Sequence, residues 1–245
     1  MTAVVGILCS NGAVIGTDSS TTFTQGQFRT IEQPSEKIVI IDSRIIIAGT
    51  GCIGLGQRFC HIVEQLWSSQ NFKGSAIDIV TRLSEMTVKN FQSTCAPQMG
   101  YGALMAFPLK NQIHLCEFEL GHFQPELKER VWYCSMGSGQ AITDPFLGFM
   151  RQIFWQTGRP DVYDGIFAVL WALEQAIELN PGGINGPARI AVLEKRNGSL
   201  SARILDDLEL DEHRQNINEA QDQLRNFRKN QQSETSETLP PPPKI

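Results

Sequence analysis

Residue 2 is a threonine directly behind the initiating methionine, and it leads a short apolar run, Ala3-Val4-Val5-Gly6-Ile7-Leu8. Removing Met1 puts a hydroxyl and a free α-amine on one residue, so that the amine can take the hydroxyl proton and leave a nucleophilic oxygen. Acyl transfer is the chemistry such a pair performs. Many chains carry Thr at position 2 to no chemical end, so the reading depends on its partners. Two charged residues qualify. Asp18 closes the apolar segment that follows, and Lys37 opens another, Ile38-Val39-Ile40-Ile41. A lysine beside the hydroxyl favours loss of its proton, and an aspartate holds that lysine charged and aimed. An arbitrary Asp and Lys at strand ends are more often a surface ion pair; joint placement with Thr2 favours the chemical role.

Two glycine clusters could serve such a nucleophile. Gly49-Thr50-Gly51-Cys52-Ile53-Gly54 fits G-x-G-x-x-G between a strand and a helix, and taken alone it suggests pyrophosphate at a helix N-terminus, with Asp78 as the acid further on. Against this, the two strands before Gly49 read as a hairpin and Asp78 falls inside a helix. Exposed backbone N–H groups at a helix start also make an oxyanion hole, and a plain structural turn is the third reading. Gly137-Ser138-Gly139-Gln140 opens a later helix; it is no nucleophile elbow, because Met136 breaks G-x-S-x-G. Ser138 is then either an ordinary N-cap or a hydroxyl that relays protons near the Thr2 amine.

These residues need elements to position them. Residues 3–9 and 13–18 read as strands joined at Ser10-Asn11-Gly12, and 37–41 and 44–48 as a second hairpin around Asp42-Ser43. Between them, residues 19–36 are polar and Ser/Thr-rich, with no strand assigned. Helical spacing follows Gly49 to about Trp67 and again over 75–91; strands are expected at 101–107, 112–118 and 130–135, and helices over 138–156 and 161–179. Asn180-Pro181-Gly182-Gly183 is a helix stop before strands 188–194 and 200–205. Segregated runs of strands and helices predict a layered α+β domain over 1–205, with two sheets between two helical layers. Residues 206–229 read as a polar helical extension, and 230–245 as a disordered Pro-rich tail.

Composition narrows the class. At 245 residues with 41% hydrophobic and 19% charged residues, one sizeable core is the simplest reading. A net charge of −5 disfavours a nucleic-acid partner. No basic segment precedes the apolar start, and no apolar run approaches the roughly 18 residues of a membrane span, so neither signal peptide nor membrane is expected and the cytoplasm is the expected location. The six cysteines lack paired spacing and the four histidines form no ligand-spaced pair; no metal and no cofactor are expected.

Thr2, the segment Gly16-Thr17-Asp18-Ser19, Lys37 before an apolar strand, Ala48-Gly49 after it and Gly137-Ser138-Gly139 together resemble the proteasome β-subunit family. The resemblance covers about residues 2–205 and is strongest to bacterial β-type homologues without a propeptide, the betaproteobacterial one among them. It implies a four-layer αββα N-terminal-nucleophile hydrolase acting as a threonine endopeptidase. By motif position Thr2 is the nucleophile, Asp18 and Lys37 its partners, the Gly49 N–H the oxyanion donor and Ser138 the auxiliary serine. Thr22 aligns the substrate as an added strand, while Ile47 and Gly51 border a pocket expected to prefer apolar side chains. The family implies peptide or unfolded-protein substrates, stacked homomeric rings and an ATP-dependent unfoldase for folded substrates. Where the family has Asp-x-x-Ser-Gly, this chain has Gly182-Gly183-Ile184-Asn185-Gly186; the acid has no clear counterpart, Glu178 being out of register. Two alternatives stand beside the peptidase: an amidase on the same fold acting on small amides, and an inactive assembly scaffold.

Overall fold

The computed structural model describes residues 1–25, 28–94, 100–179, 182–196 and 198–237. Strands β1 (Val4–Leu8) and β2 (Gly12–Thr17) are antiparallel, with Val4 opposite Thr17. Every side chain in both strands is buried, which fits their near-continuous apolar sequence. Asn11 has a further use: its Oδ1 accepts the Val162 N–H at 2.9 Å, at the start of the fourth helix.

The polar stretch after Asp18 is not a loop. It forms a two-stranded hairpin of its own, β3 (Ser20–Gln25) with β4 (Phe28–Pro34), Thr22 opposite Glu32 and Phe23 opposite Ile31. Neither strand shows the core-facing alternation by which strands are recognised, and the apolar residues Phe23 and Ile31 are both exposed.

Strands β5 (Ile38–Ile41) and β6 (Ile45–Gly51) follow, joined as expected by Asp42-Ser43, both at positive φ (48° and 50°). Two successive left-handed residues give the turn whose twist matches the flanking strands. Helices α1 (Ile53–Ser68) and α2 (Ala76–Gln92) come next; Ser75 and Asp78 form a reciprocal capping box at the start of α2. The remaining elements are β7 (Tyr101–Leu109), β8 (Gln112–Phe118), β9 (Pro125–Leu127), β10 (Tyr133–Met136), α3 (Gln140–Phe154), α4 (Val162–Leu179), β11 (Arg189–Arg196), β12 (Ser199–Ile204) and α5 (Asp207–Glu237).

Two five-stranded antiparallel sheets result, ordered β10-β1-β2-β11-β12 and β5-β6-β7-β8-β9. Their inner faces share one apolar core, including Val4, Leu8, Ile15, Ile46, Ala48 and Leu104, while Val5 and Ile7 face outward beneath α4, which with α3 covers the outer face of the first sheet. A second cluster, with Ile47, Phe59, Ile79, Leu83 and Phe107, lies between the other sheet and α1 and α2. The layers therefore run helix, sheet, sheet, helix: the four-layer αββα sandwich read from the sequence. Each fully buried aliphatic or aromatic chain in these clusters contributes roughly 1.5–3 kcal/mol.

Helix α5 runs to Glu237, past residue 229 where the extension was expected to give way to a disordered tail. Glu, Gln and Arg are good helix formers, ion pairs such as Arg225–Asp222 at 2.6 Å add support, and the first proline comes only at 240. The helix buries Leu210, His213 and Ile217 and packs on α4. Residues 238–245 of the expected tail, and Asn180-Pro181 of the expected helix stop, lie outside the described residues. No described helix is long and apolar enough to cross a membrane.

Candidate active site

Sheet register brings the sequence candidates to one end of the sandwich. Because Val4 pairs with Thr17 on one side and Met136 on the other, the chain just before β1 lies between Asp18 and Gly137. Asp18 N–H donates to the Ala3 carbonyl at 3.2 Å, and Ala3 N–H donates to Asp18 Oδ1 at 2.9 Å. A third donor, Ser20 N–H, reaches Asp18 Oδ2 at 3.3 Å. The carboxylate is thus buried with both oxygens hydrogen-bonded, as a buried charge requires.

Lys37 directly precedes β5 and points into the same place. Its ammonium uses all three donor positions: Asp18 Oδ1 at 2.7 Å, Thr2 Oγ1 at 3.2 Å and the Met1 carbonyl at 3.3 Å. The side chain is only 8% exposed. Burial holds its pKa below the ordinary lysine range, opposed first by the Asp18 carboxylate and then by Glu32.

On the other side of Thr2 stands Ser138. The Thr2 N–H donates to Ser138 Oγ at 3.0 Å, and the Thr2 carbonyl accepts from the Gly139 N–H at 3.2 Å and from Ser138 Oγ at 3.3 Å. Ser138 is not a helix cap: α3 begins at Gln140 behind Gly139. Its hydroxyl is directed at the Thr2 backbone instead. Gly137 makes this approach possible. It sits at φ 89°, and a Cβ there would stand 2.3 Å from the Thr2 carbonyl oxygen. Gly137→Ala is expected to cost about 1–3 kcal/mol from strained backbone and to push Thr2 out of line, lowering the melting temperature in a thermal-unfolding measurement.

The glycine motif after β6 differs from its helix-start reading. Gly49 and Gly51 belong to β6, opposite Ala103 and Tyr101 of β7, and α1 starts only after Cys52. Gly49 is required by packing, since a Cβ would lie 2.2 Å from Tyr101 Oη. Gly51 is required by its φ of 106° and by Gly100, whose carbonyl oxygen would be 2.3 Å away. Gly54 has open space, whereas a dinucleotide turn uses its third glycine for tight helix–strand packing. With antiparallel strands and Asp78 in the α2 cap, that alternative falls. The β5–β6 ladder ends at Ile38 opposite Ala48, so Gly49 lies one step beyond it, alongside Lys37.

The substrate-side candidates are arranged less directly. Thr22 is on β3, its Oγ1 buried without a hydrogen-bond partner. Ile47 is 1% exposed in the cluster beneath α1 and α2, so it reaches a substrate only as the floor of a pocket, while Gly51 is exposed. Two surface hollows, at Asp42, Glu64 and Trp67 and at Arg58, His61 and Asn90, include none of Thr2, Asp18 or Lys37. Sequence reasoning named the Gly137-Ser138-Gly139 cluster without the backbone role of its glycines, and it missed the Ala3 N–H and Glu32, which belongs to the unassigned hairpin.

A model of the proteasome subunit family matches residues 2–148, more than half of the chain and a span holding Thr2, Asp18, Lys37, Gly49 and Ser138. No curated protein matches. With the αββα layering and this match in agreement, the chain belongs to the proteasome subunit family.

Proposed function

We propose that this protein is a threonine endopeptidase whose nucleophile is Thr2, exposed by removal of Met1. The observation that carries the reading is Lys37 Nζ standing 3.2 Å from Thr2 Oγ1 while bonded to buried Asp18 at 2.7 Å. With Met1 attached the residue is held back. Its hydroxyl donates to the Met1 carbonyl at 2.7 Å, and its nitrogen is an amide without a basic lone pair. Removing Met1 frees the hydroxyl and turns that nitrogen into an amine with a pKa near ~8, beside Ser138 Oγ. The amine takes the hydroxyl proton, directly or through water; Thr2 Oγ1 attacks the peptide carbonyl, and the tetrahedral oxyanion is met by the Gly49 N–H. Proton return releases the amine product, and water then hydrolyses the ester to regenerate Thr2. Lys37, kept charged by Asp18, stabilises the developing alkoxide.

Family membership supports a compartmentalised assembly. We infer stacked rings of identical subunits in the cytoplasm, degrading peptides or unfolded proteins, with folded substrates delivered by an ATP-dependent unfoldase. The Ile47 floor favours apolar side chains. The test is intact mass of the purified protein before and after a peptide epoxyketone, which reacts with a hydroxyl and free amine on one residue. Loss of Met1 and one stoichiometric adduct, absent in Thr2→Ala, are expected. Met1 retained on fully assembled protein would overturn the reading.

A further inference from the structure

The segment between α4 and β11 lies over the candidate site. A Cβ on Gly183 would come within 2.7 Å of the Met1 side chain and 3.2 Å of Thr22 Oγ1. Ile184, 1% exposed, anchors it in the core, and hydrogen bonds tie it to neighbouring parts of the chain. Ser19 N–H donates to the Asn185 carbonyl at 2.9 Å, and Ser19 Oγ to the Pro187 carbonyl at 2.5 Å. The third tie is a side chain: Asn185 Nδ2 donates to Glu32 Oε1. That same oxygen accepts from Ser20 Oγ on β3. Glu32 is the cross-strand partner of Thr22, so the two side chains share one face of the β3–β4 hairpin. One carboxylate oxygen therefore joins β3, β4 and the segment above Thr2.

We propose that Glu32 is a positioning residue for peptide substrates: it clamps the Asn185 segment onto the β3–β4 hairpin and so holds Gly183 against Thr22 beside the candidate nucleophile. The proposal rests on Thr2 being a peptide-cleaving nucleophile, while the clamp itself does not. Glu32 acts through Asn185 and Ser20, which both need only an acceptor. Glu32→Gln keeps an acceptor oxygen at that position and Glu32→Ala removes it, so the conservative variant separates the clamp from the charge.

Two measurements on the full chain decide it. By hydrogen exchange, the Ser19 amide, bonded to the Asn185 carbonyl, is expected to exchange on the order of tenfold faster in Glu32→Ala, and close to wild type in Glu32→Gln. In peptide cleavage, Glu32→Ala is expected to raise KM about tenfold, and Glu32→Gln, which restores the acceptor but not the charge facing Lys37, to recover most of that KM loss. Unchanged exchange in Glu32→Ala overturns the clamp whatever the activity. Faster exchange with unchanged KM overturns the positioning role. A wild-type chain that cleaves no peptide overturns the parent reading and the positioning role with it, and the exchange data still report whether the clamp exists.

Discussion

Thr2→Ala is expected to lower kcat for peptide hydrolysis by at least about a thousandfold while leaving Met1 removal and the fold intact. The variant deletes one oxygen and one methyl from a half-buried residue. Ala is as small as Thr for the purpose of methionine removal, so the amine still appears; what is lost is the atom that attacks. Lys37 loses one acceptor but keeps Asp18, and Ser138 keeps the Thr2 nitrogen, because both of those contacts avoid the Thr2 side chain. The melting temperature should therefore move by no more than a few degrees. Thr2→Ser separates the oxygen from the methyl. It is expected to retain measurable turnover, at a reduced rate, because the hydroxyl is less restricted about χ1. Steady-state rates on one fluorogenic peptide, with intact mass confirming Met1 loss in each variant, check all three expectations. Full activity in Thr2→Ala would place the nucleophile elsewhere.

How far the sequence carries depends on whether a residue's role is local. The β5–β6 hairpin is legible because Asp42-Ser43 separates two Ile/Val runs, and both the turn and the burial are written in adjacent residues. The β3–β4 hairpin is not, because its sequence is rich in Ser, Thr and Gln and gives no apolar period. Gly49-Thr50-Gly51 misleads for a definite reason: tight packing on Tyr101 and a positive φ both select glycine, and their spacing imitates a phosphate-binding turn. Ser138 reads locally as a cap; its actual partner, the Thr2 nitrogen, is 136 residues away in the chain. Asp18 and Lys37 were legible only in combination with Thr2, since each alone is an unremarkable strand-end charge. Glu32 required a register, Thr22 opposite Glu32, in a hairpin no pattern announces. Candidates whose order a motif fixes, such as Asp18 and Lys37, could be named from the sequence, whereas Glu32 depends on a pairing between two polar strands that no motif marks.

Asp18→Ala should be the most damaging single change to stability and should abolish activity as well. The carboxylate is fully buried and accepts from Lys37 Nζ, Ala3 N–H and Ser20 N–H. Removing one member of a buried pair leaves the other charge without compensation, at a cost of about 3–5 kcal/mol, and here two backbone donors are orphaned too. At roughly 2–4 °C per kcal/mol for a chain of this size, the melting temperature falls by on the order of ten degrees. Asp18→Asn keeps the shape and an acceptor but no charge. Burial already lowers the Lys37 pKa, and the attraction opposing it comes first from Asp18; without that charge the pKa falls further. In the proposed mechanism the charged ammonium is the active form, so turnover is expected to be lost as pH rises through the Lys37 pKa. The alkaline limb of the rate profile in Asp18→Asn is therefore displaced to lower pH than in wild type. Stability and chemistry can be separated by one more variant. Asp18→Ala combined with Lys37→Met removes both charges and fills the space with apolar atoms, which for buried pairs often restores stability. That double variant is expected to melt well above Asp18→Ala and still cleave nothing. If it regains turnover along with stability, Lys37 has only a structural role and the proton chemistry belongs to the Thr2 amine alone.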